Sequence, residues 1–299
     1  MIFLFTFAVY LVILISYNMN DFIIKAVEDK YWFTPLHAST EELQQVEEII
    51  ASDVTKFTES QEWDFSAFPN LRKIDCSFNA ISKINVSNNL LLEEFRWEGV
   101  RGTLETIDLS KNTKLKRIRG GQDGLVELDF SHNTELESIS IWLNRYLRWI
   151  NLDNCTNLKS IELVGANIPF VDLTNCISLE YVDINYLNLY ARKCGEYGPG
   201  YPRPIIFVNQ NFDENIIPIK TRKDKSYYYY LVKTSVDSAE EKILFELKKN
   251  KKSILNIYAD RYGECVADEH YRILSKIEEC HEVKQSHQKS LFEDDDLHF

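Results

Sequence analysis

The stretch LRKIDCSFNAISKINVSNN (residues 71–89) contains two short motifs that recur along the chain at one spacing. Copies of the first motif are LRKI, LEEF, LKRI, LESI, LKSI and LEYV, which begin at residues 71, 92, 115, 136, 158 and 179. Copies of the second are WDFS, INVS, IDLS, LDFS, INLD and VDLT, which begin at residues 63, 84, 107, 128, 150 and 171. Both series advance by 21–23 residues, and this period predicts a solenoid with one turn per copy.

The first motif has the apolar spacing of a strand with one buried face. Leu71, Ile74 and Cys76 follow the order L-x-x-L-x-L, in which the last two residues point to the same side of a strand. A single turn cannot cover these side chains, whereas stacked turns bury them at about 1.5–3 kcal/mol each. Asn79 and Asn144 follow two of the strands and are predicted to bond backbone groups of neighbouring turns.

The second motif places a polar residue between apolar neighbours, as at Asp108 in IDLS. Such a carboxylate could be catalytic, could ligate a metal or could hold a turn. The same register contains both acids and amides: Asp64, Asn85, Asp108, Asp129, Asn151 and Asp172. Because an amide stands in for the acid in two of these turns, the register predicts hydrogen bonds to the backbone at a turn.

Two cysteines occupy a third repeated position. Cys155 and Cys176 stand where earlier turns have Asn89, Asn112 and Asn133. This exchange is typical of repeat ladders and predicts buried thiols on adjacent turns, with a disulfide as the alternative. The six cysteines are otherwise widely spread and include no CxxC, so neither a zinc site nor a disulfide framework is supported.

Together the two motifs resemble the roughly 21-residue class of bacterial leucine-rich repeats found in some internalins and in many Bacteroidetes proteins. The resemblance covers about residues 62–190. It implies a curved α/β-type repeat solenoid with a parallel sheet on its concave face, which such proteins usually use to bind protein. The chain departs from the pattern because only Cys76 keeps the strand cysteine, whose place is taken in later turns by Trp97, Gly120, Ile141, Leu163 and Ile184.

The outward positions of the predicted strands are the candidate partner-binding residues. Trp142 is the most prominent of them, because tryptophan and arginine dominate interface hot spots. The alternative is that it packs on Leu143 or Arg119 as surface cover. The central column is Asp75, Arg96, Arg119, Ser140, Glu162 and Asp183, and the next column includes Glu98, Trp142, Val164 and Asn185.

The charge distribution restricts the class of partner. A net charge of −12 argues against nucleic acid, since phosphate contacts require a basic face. One local cluster of cations runs against this trend, and it predicts either a solvated edge or a stripe for a protein partner with an acidic patch. Its members are Arg96, Arg101, Lys111, Lys114, Lys116, Arg117 and Arg119.

Local patterns predict the flanks of the repeat region. STEELQQVEEIIAS (residues 39–52) has a capping box at Ser39 and Glu42 and an apolar stripe, so it is predicted to be a helix in an N-terminal helical cap. Beyond the repeats we expect a small C-terminal α+β module with strands at 205–208, 226–235 and 253–259 and helices at 238–249 and about 266–285. The predicted units are an apolar segment at 1–18, the cap at 19–61, the solenoid at 62–190, a linker at 191–204, the module at 205–285 and an acidic disordered tail at 286–299.

The first 18 residues, MIFLFTFAVYLVILISYN, are almost wholly apolar and leave the compartment open. They are short for a transmembrane span, which needs roughly 20 residues, and they lack the basic start and the cleavage site of a signal peptide. A start at Met19 predicts a cytoplasmic protein. Retention or cleavage of the segment predicts a membrane-anchored or an exported one, and membrane contact is expected only if the segment is retained.

The repeats favour a non-catalytic protein-binding protein with no catalytic residue, no cofactor and no metal. One alternative is a repeat-guided effector enzyme with a cysteine-dependent C-terminal module, such as a transferase or ligase; another is a membrane-anchored envelope receptor. The enzyme would use cysteine and histidine side chains of the C-terminal module, but closeness in sequence does not bring such groups together in space. Its candidate residues are Cys265, Asp268, His270, Cys280 and His281.

Overall fold

The chain winds into a coil of parallel strands, and the leucine-rich-repeat solenoid predicted from the sequence is confirmed. The computed structural model describes residues 20–53, 61–99, 104–185, 205–217, 219–220, 229–249, 272–273 and 275–276. Among the helices of these segments, none is both long and apolar enough to cross a membrane.

One side of the coil is a long sheet of eight parallel strands. Each strand is contributed by a successive turn, and neighbouring strands keep one register, so that Arg96, Arg119 and Ser140 are consecutive Cα partners. In spatial order the strands are β1 (Glu48–Ile50), β3 (Lys73–Asp75), β5 (Glu94–Arg96), β6 (Arg117–Gly121), β8 (Ser138–Trp142), β10 (Ser160–Val164), β12 (Tyr181–Asp183) and β14 (Ile219–Lys220).

The opposite side of the coil has three shorter parallel sheets. Five of the six copies of the second sequence motif supply a strand to these sheets, and two further strands come from residues beyond the last copy. The pairs are β2 (Gln61–Asp64) with β4 (Ile81–Asn85) and β7 (Glu127–Asp129) with β9 (Trp149–Asn151), while β11 (Phe170–Asp172), β13 (Ile205–Asn209) and β15 (Tyr230–Thr234) form the third sheet.

The core lies between these two sides and consists of the predicted inward positions. Leu71, Ile74 and Cys76 are all buried, and the leucine that opens each later copy of the first motif is buried too. The equivalent strand positions form one continuous cluster: Phe95, Trp97, Ile118, Ile139, Ile141, Ile161, Leu163, Val182 and Ile184. Each turn therefore covers the apolar groups of the next, as the repeat period requires.

Helix α1 (Asp21–Tyr31) packs at the N-terminal end of the coil and was not predicted. Asn20 caps it by accepting a hydrogen bond at Oδ1 from the backbone N–H of Phe22 at 2.8 Å. Ile23 and Val27 lie one helical turn apart and are buried in the main core. An asparagine followed by an apolar i, i+4 pair is a signal that could have identified this helix.

The helix predicted over residues 39–52 is wrong beyond its first turn. A short 3₁₀ helix (Pro35–His37) precedes α2 (Thr40–Leu43), which is only four residues long. The capping box is present: Ser39 Oγ accepts from the Glu42 N–H at 3.1 Å, and Glu42 Oε2 accepts from the Ser39 N–H at 2.7 Å. The residues that follow belong to strand β1 at the edge of the long sheet.

The helix was predicted because the apolar residues of this segment have a spacing that fits both a helix and the first repeat motif. Val46, Ile49 and Ala51 have the L-x-x-L-x-L order of the first motif, and its i, i+3 step also fits one face of a helix. Ile49 pairs with Ile74 in the sheet, and all three residues are buried. The solenoid therefore begins about one turn earlier than the motif search indicated.

Strands β13, β14 and β15 continue the coil, a connection that was not predicted. β13 pairs with β11, β15 pairs with β13, and β14 extends the long sheet beside β12. Helix α3 (Ala239–Lys249) follows, so the strands and the helix expected in this segment are present. Leu244 and Leu247 of α3 pack in a second core with Trp149 and Phe170 of the solenoid.

Part of the predicted C-terminal region lies outside the described residues. This applies to the strand at 253–259, to most of the helix at 266–285 and to the tail at 286–299. It also applies to every member of the proposed cysteine-dependent site: Cys265, Asp268, His270, Cys280 and His281.

Candidate functional site

The Asp108 register holds turns, as predicted. In all six turns the side-chain Oδ1 accepts a hydrogen bond from the backbone N–H two residues later, at 2.8–3.1 Å. At Asp108 the donor is Ser110, and its hydrogen bonds lower the pKa of the carboxyl. Asn85 and Asn151 make the same bond with an amide oxygen. The register is structural, and Asp108 is not a candidate active-site residue.

Three buried asparagines form a hydrogen-bonded column on the same side, here called the amide ladder (Asn89, Asn112 and Asn133). Each Nδ2 donates to two backbone carbonyls of the preceding turn. Asn112 reaches the carbonyls of Val86 and Asn89, both at 2.9 Å. The Oδ1 atoms of the ladder have no hydrogen-bond partner among the described residues. The ladder therefore uses these side chains only as donors.

Cysteine takes the ladder position in the next two turns, and one of the two thiols also acts as a donor to the preceding turn. Cys155 and Cys176 are buried free thiols, as predicted, and Cys155 Sγ donates to the carbonyl of Phe130 at 3.5 Å. Burial raises the pKa of Cys155 to about 12 and raises the pKa of Cys176 as well. Because the thiolate is the reactive form, these two thiols are poor nucleophiles near neutral pH.

Buried asparagines beside the long sheet also form hydrogen bonds to neighbouring turns. In one turn a buried carboxylate takes the place of the asparagine. Asn79 donates to the carbonyl of Ala51 in the preceding turn at 2.7 Å, as predicted, but Asn144 donates to Asp123 Oδ1 at 2.5 Å. Asp123 is 2% exposed and also accepts from Trp97 Nε1 at 3.0 Å. Desolvation outweighs these donors and raises the pKa of Asp123 to about 6. An acid in the register of a buried amide is the signal that could have identified this residue.

Trp97 fits into this turn because the next turn has no side chain beside it. Gly120 follows Trp97 in the column that begins at Cys76, and a Cβ at Gly120 would overlap the indole ring. The large and the absent side chain therefore compensate for each other in volume, which keeps the core filled. We call Trp97, Gly120, Asp123 and Asn144 the carboxylate turn.

The predicted partner-binding residues all lie on the outward side of the long sheet or at its edge, but they differ in exposure. Arg96, Arg119 and Trp142 are exposed. Glu98 and Val164 are buried, at 9% and 7% exposure. The remaining members are partly buried: Asp75, Ser140, Glu162, Asp183 and Asn185.

In the first four strands of the sheet, outward cations pair with carboxylates of neighbouring strands. Lys73 Nζ lies 2.6 Å from Glu48 Oε1, and Arg96 Nη1 lies 3.9 Å from Asp75 Oδ2. Two further pairs join Arg117 to Glu94 and Arg119 to Glu98.

The predicted basic stripe is therefore largely neutralised. Beyond the sheet, Lys114 pairs with Glu135 at 2.5 Å and Lys116 pairs with Glu93 at 2.8 Å. Arg101 lies outside the described residues. An anionic partner would have to compete with carboxylates that these cations already contact.

Trp142 lies further along the sheet and is held by polar neighbours while 41% exposed. Its Nε1 donates to Ser140 Oγ at 2.6 Å and to Glu162 Oε2 at 3.0 Å, and Ser140 Oγ donates to the same Glu162 oxygen at 2.7 Å. An exposed indole with a fixed orientation is a pre-organised contact group.

A lysine of helix α3 lies against the opposite side of the coil. Lys248 Nζ forms ion pairs with Asp153 and, at 2.7 Å, with Asp172 of the turn register. These carboxylates raise the pKa of Lys248 even though desolvation, the largest influence, lowers it. Helix α3 therefore covers this part of the solenoid surface.

Comparison with known proteins gives similarity only at the level of solved structures. No family model and no curated protein matches the sequence. The functional domain of InlJ from Listeria monocytogenes, which includes a cysteine ladder, is 19% identical with a TM-score of 0.45, and the match covers 68% of this chain and 43% of that one. The chain thus spans less than half of the length of the InlJ domain.

Two other internalins of Listeria monocytogenes are similar to the same extent. InlF is 13% identical with a TM-score of 0.45, over 74% of this chain and 73% of that one. Internalin C2 is 13% identical with a TM-score of 0.41, over 71% of this chain and 92% of that one. The fold assignment itself rests on the repeat period and the parallel strand pairing described above.

Proposed function

We propose that this chain is a non-catalytic protein-binding protein and that its partner lies on the outward face of the long sheet, the concave face in leucine-rich-repeat proteins. The observation that carries the proposal is Trp142, which is 41% exposed and whose Nε1 donates to Ser140 and Glu162, two residues that are hydrogen-bonded to each other. Large exposed aromatic groups on an ordered surface are typical of interface hot spots.

The sheet also meets the physical requirements of a binding platform. Its strands lie about 4.8 Å apart, so the outward side chains form regular columns on a rigid backbone. Side chains that are ordered before binding lose less conformational entropy when a partner docks. The inward positions fill the core, which leaves the outward positions available for recognition without disturbing the fold.

The outward residues of the sheet do not determine the charge of the partner as simply as the sequence indicated. Arg96 and Arg119 belong to the cation cluster that indicated an acidic patch on the partner, but each already contacts a carboxylate, Asp75 and Glu98 respectively. An acidic partner would exchange one ion pair for another, and exposed pairs contribute only about 0.2–1 kcal/mol each.

The test is a pull-down followed by mass spectrometry with the double variant Trp142→Ala/Arg119→Ala. We expect it to lose the proteins that the unmodified chain captures, because it removes the exposed indole and a neighbouring cation from the sheet. The matched control is Phe245→Ala/Lys249→Ala, which removes an exposed aromatic residue and a cation from helix α3. If both variants capture the same proteins as the unmodified chain, the assignment to the long sheet is wrong.

A further inference from the structure

In most turns of the coil the chain leaves the long sheet through one residue with a left-handed backbone conformation. Leu143, directly after strand β8, is such a residue, and its N–H still donates to the Val164 carbonyl of the next turn at 2.6 Å. The residues of this register that have a positive φ, between 53° and 73°, are Asp53, Phe78, Gln122, Leu143 and Gly165. The turn therefore requires a left-handed backbone and a backbone N–H at this position, but no particular side chain.

Leucine is an unfavourable residue for this conformation. A left-handed backbone brings the Cβ of an L-amino acid close to the following carbonyl oxygen, so glycine adopts it most readily, and asparagine and aspartate come next. Leu143 has a φ of 53°, whereas the same position in the next turn is Gly165, with a φ of 73°. Burial offsets only part of the strain, because 46% of Leu143 is exposed. The fold alone therefore favours glycine at residue 143.

Leu143 and Trp142 extend over the same neighbouring turn. Trp142 Nε1 donates to Glu162 Oε2 of strand β10 at 3.0 Å. Leu143 Cδ2 lies beside Gly165, which directly follows β10, and would be 3.1 Å from a Cβ added there. Both residues are exposed. We call Trp142 and Leu143 the apolar rim of the long sheet.

The apolar rim offers a partner hydrocarbon surface. The leucine side chain has no polar atom, and the single polar atom of the indole, Nε1, already donates to Ser140 and Glu162. Arg119 on β6, the strand beside β8, is already paired with Glu98. Removal of hydrocarbon surface from water is the main favourable contribution to most protein association. The group that matches this surface is an uncharged, apolar one.

We propose that Leu143 is a partner-contact residue and that the apolar rim receives an apolar side chain of a polypeptide partner. The inference rests on the proposed function and adds to it a contact residue outside the outward columns, together with the chemistry of the partner. The strain of the left-handed leucine is offset in the complex, where its exposed hydrocarbon surface becomes buried. The contact is uncharged, in contrast to the acidic patch expected from the sequence.

The first measurement is the urea midpoint of unfolding of Leu143→Gly, with Leu90→Gly as the matched control. Leu90 is 54% exposed, follows Asn89 on the opposite side of the coil and does not have a positive φ. Glycine at residue 90 adds backbone entropy to the unfolded chain and relieves no strain, so the midpoint should fall.

Leu143→Gly relieves the left-handed leucine and keeps the N–H that bonds Val164, so its midpoint should stay the same or rise. A fall comparable with that of Leu90→Gly would show that the leucine serves the fold, and this result would overturn the inference.

The second measurement uses random peptides displayed on phage and selected on the full chain. The enriched peptides are synthesised with a fluorescein label and titrated with each variant by fluorescence anisotropy. We expect them to share an apolar residue whose replacement by serine weakens binding. Leu143→Gly should weaken binding about fivefold, because a half-exposed leucine becomes buried in the complex. Leu90→Gly should change binding by less than about twofold.

The selected peptides also separate this inference from the proposed function. Peptides that are weakened by both Trp142→Ala and Leu143→Gly support both. Peptides that are weakened by Trp142→Ala alone, or that bind through a charged residue in place of an apolar one, leave the proposed function standing and overturn the inference. Peptides that bind Trp142→Ala/Arg119→Ala and Leu143→Gly as tightly as the unmodified chain contradict both, and a library that yields no binding peptide overturns the inference.

Discussion

The amide ladder and the carboxylate turn both link adjacent turns through buried hydrogen bonds, but with opposite roles as donor and acceptor. Both join buried side chains to the next turn of the coil. In the ladder, Asn112 acts as a donor towards backbone carbonyls, and its own oxygen has no partner among the described residues. In the carboxylate turn, Asp123 acts as an acceptor, and its donors are the side chains of Trp97 and Asn144. A repeat position tolerates a new residue where the adjacent turn supplies the complementary group.

The two regions also differ in how easily they can be altered. The ladder continues into cysteine, where the thiol of Cys155 keeps one of the two contacts that an asparagine makes with the preceding turn. The carboxylate turn depends on several residues at once, since the indole of Trp97 needs both the acceptor at Asp123 and the space at Gly120. The ladder should therefore respond to loss of a donor, and the carboxylate turn to changes in volume and protonation.

The largest effect is expected for Asn112→Ala in the ladder. The change removes two buried hydrogen bonds and leaves the carbonyls of Val86 and Asn89 without this donor, which should lower the free energy of unfolding by about 3 kcal/mol. Urea denaturation followed by circular dichroism measures it. The control is Asn157→Ala, an exposed asparagine that donates to one carbonyl of the preceding turn and should cost about 0.5 kcal/mol. Equal losses in the two variants would contradict the role assigned to the ladder.

The next effect concerns volume in the carboxylate turn. Gly120→Ala should lower the free energy of unfolding by about 2 kcal/mol, because the new methyl group overlaps the indole of Trp97. A double-mutant cycle with Trp97→Leu checks the cause. The alanine should cost much less when residue 97 is leucine, and an unchanged cost would show that Gly120 is required for another reason.

An effect of similar size, visible as pH dependence, is expected at Asp123. Its pKa is about 6 in the folded chain and 3.8 ordinarily, so the folded state binds more protons between these values. The stability that this group contributes is fully present below about pH 4 and is lost as the pH rises through about 6.

Asp123→Asn should remove this dependence. The free energy of unfolding of the unmodified chain, minus that of the variant at the same pH, should fall by about 2 kcal/mol between pH 4 and pH 7. Subtraction at each pH removes the opposite contribution of acids whose pKa is lowered by ion pairs, such as Glu48 and Glu93. A difference that does not vary with pH would show that Asp123 titrates normally.

The smallest effect is expected at the turn register. Asp108→Asn should change the free energy of unfolding by less than about 0.5 kcal/mol, because the amide oxygen can accept the Ser110 N–H as it does at Asn85 and Asn151. Asp108→Ala, which removes the acceptor, should cost about 1 kcal/mol. If the amide is as costly as alanine, the carboxylate charge has a role that the turn geometry does not explain.

Most of the fold could be predicted because the same residue types recur at the same positions in several turns. The strand positions, the turn register at Asp108 and the buried thiols Cys155 and Cys176 follow from patterns that many turns share. Elements that occur once were predicted less well. Helix α1 was missed, and residues 44–50 were assigned to a helix because Val46 and Ile49 fit both a helical face and the first strand of the repeat.

The exposure of the main candidate residues could be predicted from the sequence, but the ion pairs between neighbouring turns could not. Alternation along each strand placed Arg96, Arg119 and Trp142 on the outward face, where they are exposed. Which charges are paired depends on residues 20–25 positions away in the sequence, such as Glu98 beside Arg119 and Glu48 beside Lys73. Ion pairing across strands is set by register, and a single strand read alone does not contain it.

The sequence by itself determined the coil, because an apolar period of 21–23 residues can be buried only when turns stack on one another. The tertiary structure decided the rest. It joined strands β13, β14 and β15 to the coil through parallel pairing, matched Trp97 to Gly120, and paired Arg96 and Arg119 with carboxylates of neighbouring turns. These outcomes depend on which groups meet across turns, and only the folded chain brings those groups together.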